Sequence, residues 1–185
     1  MELEIVRAVP GEGAVLHALA EETFLDACPP GMDTAVAAAY VANELSAEHF
    51  EQWLEDGRHH ILLLVEPGTR RSAAYLVLVA DEPVRAGVPV TQDANEPLDP
   101  EATLWFVSKL YVVRESRGSG GARRLLEAGK SLAADAGASG LWLTVNQHNL
   151  RANTFYERNG FRTVATAEFM MGPKVHDDFV KVLRF

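Results

Sequence analysis

The chain is nearly free of cysteine and has no long apolar run. Cys28 is the single cysteine among 185 residues, so no disulfide can form within the chain. Apolar runs such as 61–65 and 75–80 are far shorter than the roughly 18 residues that cross a bilayer. Met1 leads into an acidic stretch rather than the basic and apolar regions of a secretory signal. We therefore expect a cytoplasmic protein without a membrane span.

Positive charge is also scarce. The 17 lysines and arginines stand against 26 aspartates and glutamates, which gives a net charge of −9. An acidic total disfavours a nucleic-acid partner and favours a small cationic one. The histidine-containing stretches at 59–60 and 176–178 lack the spacing of a metal-ligand set, so we predict no metal.

The length favours a single domain over residues 1–185. Stretches with the strand period and stretches with the helix period are interspersed, which predicts a mixed α/β fold. Asp33 and Ser46 each precede a helical repeat and are predicted N-caps. The predicted strands cover 3–9, 60–66, 72–80, 104–113, 141–145, 161–170 and 175–185, and the predicted helices fall within 15–24, 33–43, 46–54, 120–136 and 149–158.

The segment 81–103 is predicted to be an exposed loop because it holds four of the nine prolines. It is long enough to be a lid over a cleft. Its charge is strongly acidic, and such a loop would either attract a cation or only keep the surface soluble. Apart from Arg85, its charged residues are Asp81, Glu82, Asp93, Glu96, Asp99 and Glu101.

A glycine-rich turn at 117–122 lies between a predicted strand and the most clearly amphipathic helix. Glycines let an anion approach the backbone, and the first turn of a helix offers unpaired N–H groups, so a phosphate is the expected ligand. Arg117, Arg123 and Arg124 add positive charge there. The spacing matches neither a Walker loop nor a Rossmann fingerprint. A flexible connection without a ligand is the alternative.

Two motifs in this half of the chain resemble a known family. The strand residues at 110–113 are followed by Arg-x-x-Gly-x-Ala at 117–122, which resembles motif A of the GCN5-related N-acetyltransferases. Downstream, Asn-x-x-Ala-x-x-Phe-Tyr at 149–156, followed by Gly160 and Phe161, is similar to motif B of that family. The likeness is strongest over 104–161.

This resemblance implies a fold, a co-substrate and site residues. The fold would be a mostly antiparallel mixed sheet of about seven strands flanked by helices, with splayed strands where acetyl-CoA binds. A bulged strand would present the N–H of Leu110 to the acetyl oxygen, while Val112 and Asn149 would meet the pantetheine arm. The pyrophosphate would be held by the glycine-rich turn, at Arg117, Gly118, Gly120, Gly121, Ala122 and Arg123.

Tyr156 occupies the position of the family's general acid, and a phenol can protonate a departing thiolate. Packing of Phe155 and Tyr156 on the sheet is the alternative. The base is harder to assign, because Phe106 stands where many relatives carry a glutamate. The remaining candidates are a water chain or the side chains of Glu21, Glu22, His59 and His60. We interpret Cys28 as a packed thiol rather than a nucleophile.

The ending at 172–180 and the segment 22–24 resemble a polyamine and diamine acetyltransferase branch. We therefore expect direct attack by a primary amine in a ternary complex, with a small polyamine or diamine as one acceptor class. The alternatives are acetylation of a protein N-terminus or lysine, a non-catalytic acyl-CoA-binding domain, and a nucleotide-binding module. A homodimer is left open.

Overall fold

A seven-stranded sheet forms the centre of the computed structural model, which describes residues 3–28, 33–84, 102–171 and 174–185. The strand order is β1-β2-β3-β4-β5-β7-β6. Neighbouring strands are antiparallel except for β4 and β5, which run parallel. This sheet confirms the predicted fold class. The strands are β1 (Glu4–Arg7), β2 (His59–Val65), β3 (Ser72–Val79), β4 (Leu104–Val112), β5 (Gly140–Asn146), β6 (Arg162–Met171) and β7 (Lys174–Arg184).

Helices cover both faces of the sheet. The Asp33 carboxylate accepts a hydrogen bond from the Ala35 N–H at 2.8 Å, and the Ser46 hydroxyl accepts one from the His49 N–H at 3.2 Å, so both predicted N-caps are confirmed. Across the described ranges, no helix combines the length and the apolarity that a membrane crossing requires. The α-helices are α1 (Gly13–Ala27), α2 (Thr34–Glu44), α3 (Ala47–Glu55), α4 (Gly121–Asp135) and α5 (Leu150–Arg158).

The core is divided by the sheet. Alternate residues of β2 point to opposite sides, so that Ile61 and Leu63 pack with α1, α2 and α3 while Leu62 and Leu64 pack with α4. We name these sides the α1–α3 face and the α4–α5 face. Residues 85–101, which carry most of the predicted acidic loop, lie outside the described residues, as do 172 and 173 of the predicted polyamine-like ending.

The middle of the sheet opens into a gap between two strands. On β4, Lys109 pairs with Val77 and Val107 pairs with Leu78, which leaves Ser108 as an extra, bulged residue. The parallel pairing of β4 with β5 extends only to Phe106, although both strands continue beyond it. The bulge and the splayed strands implied by the family resemblance are therefore confirmed.

The closed end of this gap depends on Gly140, where β5 meets both β4 and β7. A Cβ at this position would contact the Leu183 carbonyl and lie 2.9 Å from Leu104 Cδ2. We expect Gly140→Ala to lower the free energy of unfolding by about 1–3 kcal/mol, measured by urea denaturation, because a backbone atom cannot move aside easily. Gly57→Ala is the control, since its Cβ would meet nothing within 4 Å. Equal stability of the two variants would contradict this account.

Candidate active site

A cleft of about 440 Å³ occupies the gap between β4 and β5. Its walls come from α1 and α2 on one face of the sheet, from α5 on the other, and from β4, β5, β6 and β7 between them. The cleft therefore passes through the sheet rather than lying on one side. A substrate held between the strands would be open to groups from both faces.

The backbone of β4 faces this gap at two predicted site residues. The N–H of Val113 donates to the Ala73 carbonyl at 2.9 Å, so it points toward β3. The backbone N–H and C=O groups of successive strand residues point to alternate edges. Those of Leu110 and Val112 therefore point to the edge of β4 away from β3, where β5 no longer pairs with β4. This is the orientation that their predicted contacts with an acyl-thioester and a pantetheine arm require.

The glycine-rich turn leads from β4 into α4. Gly118 and Gly120 have positive φ angles of 78° and 82°, which side chains rarely allow. The first helical hydrogen bond of α4 runs from the Arg124 N–H to the Gly120 carbonyl at 3.0 Å. Within the described residues, the N–H groups of Gly118, Gly120, Gly121 and Ala122 have no acceptor. Together with the positive end of the helix dipole, these four donors suit an anionic group.

The prediction for the Arg117 N–H needs correction. This N–H donates to the Arg114 carbonyl at 3.2 Å and closes a short 3₁₀ helix, so it is not available to a ligand in this conformation. The Arg117 guanidinium donates to the Val112 carbonyl at 3.2 Å and pairs with Asp26, also at 3.2 Å. Bonds from Arg114, with the charge of Arg117, lower the pKa of Asp26.

The other two arginines of the turn differ in what they contact. Arg124 donates to the Leu3 carbonyl at 2.8 Å and so fixes the chain before β1. Arg123 is exposed, and its guanidinium has no partner in the part of the chain that the structure describes. Arg123 therefore keeps its predicted role as a charge beside the turn, whereas Arg124 has a structural contact.

The N-terminus of α5 is tied to the end of β5. Asn149 is the N-cap, and its Oδ1 accepts a hydrogen bond from the Ala152 N–H at 3.1 Å. Asn153 donates from Nδ2 to the Asn146 carbonyl at 3.0 Å. These bonds set the position of α5 over the gap. Asn149 lines the cleft, and its contact with a pantetheine arm stays a prediction.

Tyr156 lies one turn further along α5 and lines the cleft from the α4–α5 face. Its ring packs edge-on against Phe155 and Phe161, with centroids 5.3 and 5.4 Å apart. Burial raises the pKa of Tyr156 above its ordinary value, so the phenol is protonated across the physiological range. Packing and proton donation are thus compatible at this residue.

The base candidates drawn from the sequence do not reach the cleft. His59 stacks on Trp53, and His60 stacks on another tryptophan, at centroid distances of 5.4 and 4.5 Å. Glu21 and Glu22 are exposed on α1 and do not line the cleft. None of these four candidates therefore lies where it would touch an acceptor in the cleft. Phe106 packs on Trp142 at 4.3 Å, so the position usually held by a carboxylate is aromatic.

Two ionisable cleft residues were missed by the sequence interpretation. Asp178 on β7 is only 7% exposed, and burial raises its pKa to about 6. Lys109, beside the bulge, donates to the Ser108 hydroxyl at 3.0 Å, and burial lowers its pKa to about 8. For Lys109 the available signal was a charged residue in the interior of an otherwise apolar strand. β7 carries several charged residues, so no such signal distinguished Asp178.

Comparisons with known proteins agree with this geometry. Residues 29–161 match the model of the Acetyltransferase (GNAT) family. An uncharacterized N-acetyltransferase of Mycobacterium tuberculosis is 34% identical over 167 residues, which are 90% of this chain and 94% of that relative. The PaiA N-acetyltransferase of Thermoplasma acidophilum in complex with coenzyme A has a TM-score of 0.75 at 15% identity, covering both chains completely. NAA60 of Arabidopsis thaliana in complex with acetyl-CoA has a TM-score of 0.70 at 18% identity, over 99% of this chain and 98% of that one.

Proposed function

The chain belongs to the Acetyltransferase (GNAT) family as an acetyl-CoA-dependent N-acetyltransferase, and we propose that it acetylates a small primary amine by direct attack in a ternary complex. The observation that carries this proposal is the gap between β4 and β5, together with the turn that follows β4, where the N–H groups of Gly118, Gly120, Gly121 and Ala122 have no acceptor within the described residues. An extended thioester with a pyrophosphate at its far end fits such a slot.

The residues present suit acetyl-CoA along its length. The N–H groups of Gly118, Gly120, Gly121 and Ala122 would bind the pyrophosphate, with Arg123 adding charge. The backbones of Val112 and Leu110 would meet the pantetheine arm and the acetyl carbonyl, together with Asn149. A fixed N–H aimed at the carbonyl stabilises the oxyanion that develops on attack.

Tyr156 would return a proton to the leaving thiolate. A thiol has an ordinary pKa of about 8.5, so at neutral pH the departing sulfur benefits from a nearby donor. Tyr156 approaches the cleft from the same face of the sheet as α4, whose turn would hold the nucleotide end of the co-substrate. The donor and the sulfur would therefore lie on one side of the thioester.

Cys28 lines the cleft but is not equipped as a nucleophile. Its Sγ donates to the Phe24 carbonyl at 3.3 Å, and burial raises its pKa. We expect Cys28→Ala to keep kcat/KM within about 2-fold, because the amine attacks the thioester without an acyl-enzyme. Initial-velocity patterns with both substrates varied should intersect. Parallel lines together with inactivity of the variant would establish a ping-pong route through Cys28 instead.

An amine acceptor is supported by the charge of the cleft walls. Three carboxylates line the cleft against one lysine, Lys109. Glu82 is paired with Arg58, so the negative charge that would attract an amine comes from Glu168 and Asp178. A small polyamine or diamine is the acceptor class that we propose within the primary amines. Most acidic residues of the 81–103 segment lie outside the described residues, so the proposal of an amine acceptor rests on the carboxylates that line the cleft.

The direct test is acetyl-CoA turnover, followed as thiol release, with a panel of monoamines, diamines, polyamines and amino-terminal peptides. We expect amine-dependent release, greatest with diamines or polyamines. Calorimetry with CoA and with ATP runs alongside, and CoA should bind the more tightly. Tight CoA binding without transfer to any amine would make this chain an acyl-CoA-binding domain, and preference for ATP would make it a nucleotide-binding module. Transfer only to peptides would assign a protein acceptor.

A further inference from the structure

An amine acceptor must lose a proton before it can attack, and the usual carboxylate position holds Phe106. A lysine-like amine has a pKa of about 10.4, so only about one molecule in 10³ is neutral at pH 7. We propose that Asp178 is the catalytic base that takes this proton, a role that rests on the proposed acetyl transfer.

Asp178 differs from the other two carboxylates of the cleft. Glu82 is paired with Arg58 at 2.9 Å, which neutralises it and holds it at the rim. Glu168 is exposed to solvent on β6. Asp178 is buried, and no cation lies within ion-pair distance of it in the described part of the chain. Of these three carboxylates, Asp178 is the one that is sheltered and free to accept a proton.

The register of the sheet sets the position of Asp178 in the cleft. Asp178 pairs with Asn146 of β5 and with Ala167 of β6. Asn146 and Ala167 line the same cleft as Asp178. The side chains of Thr144 and Asn146 are uncharged, and they favour the ionised carboxylate and lower its pKa without a counter-charge.

The acid and the base would approach the thioester from opposite faces of the sheet. Asp178 is two and four residues from Val180 and Val182 on β7, so all three lie on the same face of the sheet. Val180 and Val182 pack with Trp142 on the face away from α4 and α5. Tyr156 lies on the α4–α5 face. An amine entering from the α1–α3 face would meet Asp178 first, and the thiolate would leave toward Tyr156. This arrangement would place the base beside the attacking nitrogen and the acid beside the departing sulfur.

Burial is the main cause that raises the pKa of Asp178 to about 6, and the charge of Asp177 raises it further. The side chains of Thr144 and Asn146 and the charge of His176 act in the opposite direction. Asp178 is thus ionised at pH 7, yet it is about 100-fold more basic than an ordinary aspartate with a pKa near 3.9. The other titratable groups that line the cleft around it are Glu82, Glu168, Lys109, Cys28, Tyr40, Tyr111 and Tyr156.

The proton balance is complete without a further reactant. Asp178 takes one proton from the ammonium, directly or through a water molecule, and passes it to solvent. The neutral nitrogen forms the N–C bond, the C–S bond breaks, and the sulfur leaves with its electron pair. Tyr156 protonates the sulfur and is reprotonated from solvent, and the nitrogen loses its second proton to solvent. The products are the amide, CoA thiol and one released proton.

The test is the pH dependence of kcat for Asp178→Asn, a replacement of equal size. The wild type should show an acid limb near pH 6, and the variant should lose this limb and about 10²–10³-fold of kcat, with the acetyl-CoA Kd unchanged. Asp178→Glu should restore part of kcat together with the limb. Asp177→Asn is the matched control, because it removes an exposed carboxylate one residue away, and it should keep the limb.

A second measurement separates a base from a merely structural residue. The kcat deficit of Asp178→Asn should shrink several-fold or more for acceptor amines of low pKa, which are already neutral at the assay pH. An equal deficit across such a series, or an acid limb that survives in Asp178→Asn, would overturn the proposal. An acid limb near pH 8 that is lost in Lys109→Met would assign the base to Lys109 instead. If the wild type turns over no amine, the proposed transferase activity itself is refuted. If the wild type turns over amines and Asp178→Asn has the same kcat, only the role of Asp178 is refuted.

Thermal denaturation gives a readout that does not depend on turnover. The folded protein holds the Asp178 proton up to about pH 6, whereas the unfolded chain releases it near pH 4, so ionisation of Asp178 disfavours folding. The Tm of the wild type should therefore fall relative to that of Asp178→Asn between about pH 4 and pH 6. A constant difference in Tm would contradict the environment on which the role of Asp178 depends.

Discussion

Tyr156→Phe is expected to lower kcat by about 10²- to 10⁴-fold while the acetyl-CoA Kd stays within about 2-fold. The change removes a single hydroxyl and keeps the ring that packs against Phe155 and Phe161. Ground-state contacts are therefore kept, and only proton donation to the departing thiolate is lost. Steady-state kinetics and calorimetry with CoA measure the two quantities separately.

The pH dependence of kcat provides a second check on the role of Tyr156. Because burial raises the pKa of Tyr156, the phenol stays protonated above pH 9 and should produce no basic limb in that range. Tyr75→Phe is the matched control, since it removes a hydroxyl that is buried outside the cleft. If Tyr156→Phe retains full kcat and an unchanged profile, Tyr156 is only a packing residue of α5.

The features that could be predicted from the sequence are those in which neighbouring residues determine the structure. Asp33 and Ser46 cap helices through atoms two and three residues away, so local spacing was sufficient to find them. The glycine-rich turn is equally local, because glycine tolerates the positive φ angles that Gly118 and Gly120 adopt. The uninterrupted apolar run at 61–65 is likewise local, and it lies in β2, which is buried on both faces of the sheet.

The parts of the site that could not be predicted depend on partners distant in the chain. Asp26 lies 88 residues before Arg114, and no pattern in either segment indicates that the two would pair. The location of Asp178 in the cleft requires the register of β7 against β5, which the sequence does not specify. The same holds for His59 and His60, whose histidine chemistry suggested a base although both rings are stacked on tryptophans.

Gly120→Asp is expected to weaken CoA binding by about 10²-fold or more, because it adds a negative charge beside the predicted pyrophosphate site. The position has a φ of 82°, and a Cβ there would meet nothing within 4 Å, so the side chain has space but the backbone is strained. Strain and charge must therefore be separated. Calorimetry with CoA measures the affinity, and circular dichroism confirms that the variant is folded.

Gly120→Asn separates the two effects, because asparagine has the shape of aspartate, carries no charge and tolerates positive φ better than most residues. The neutral variant should lose only the small part of the affinity that strain and bulk remove. The further loss in Gly120→Asp is electrostatic, so it should diminish as salt is raised from about 0.05 to 0.5 M, where the Debye length falls from roughly 14 to 4 Å. A Gly120→Asp protein that folds and binds CoA as tightly as the wild type would exclude the α4 turn as the pyrophosphate site. Equal, salt-independent losses in both variants would show that the turn acts through its backbone shape, and not through the charge it faces.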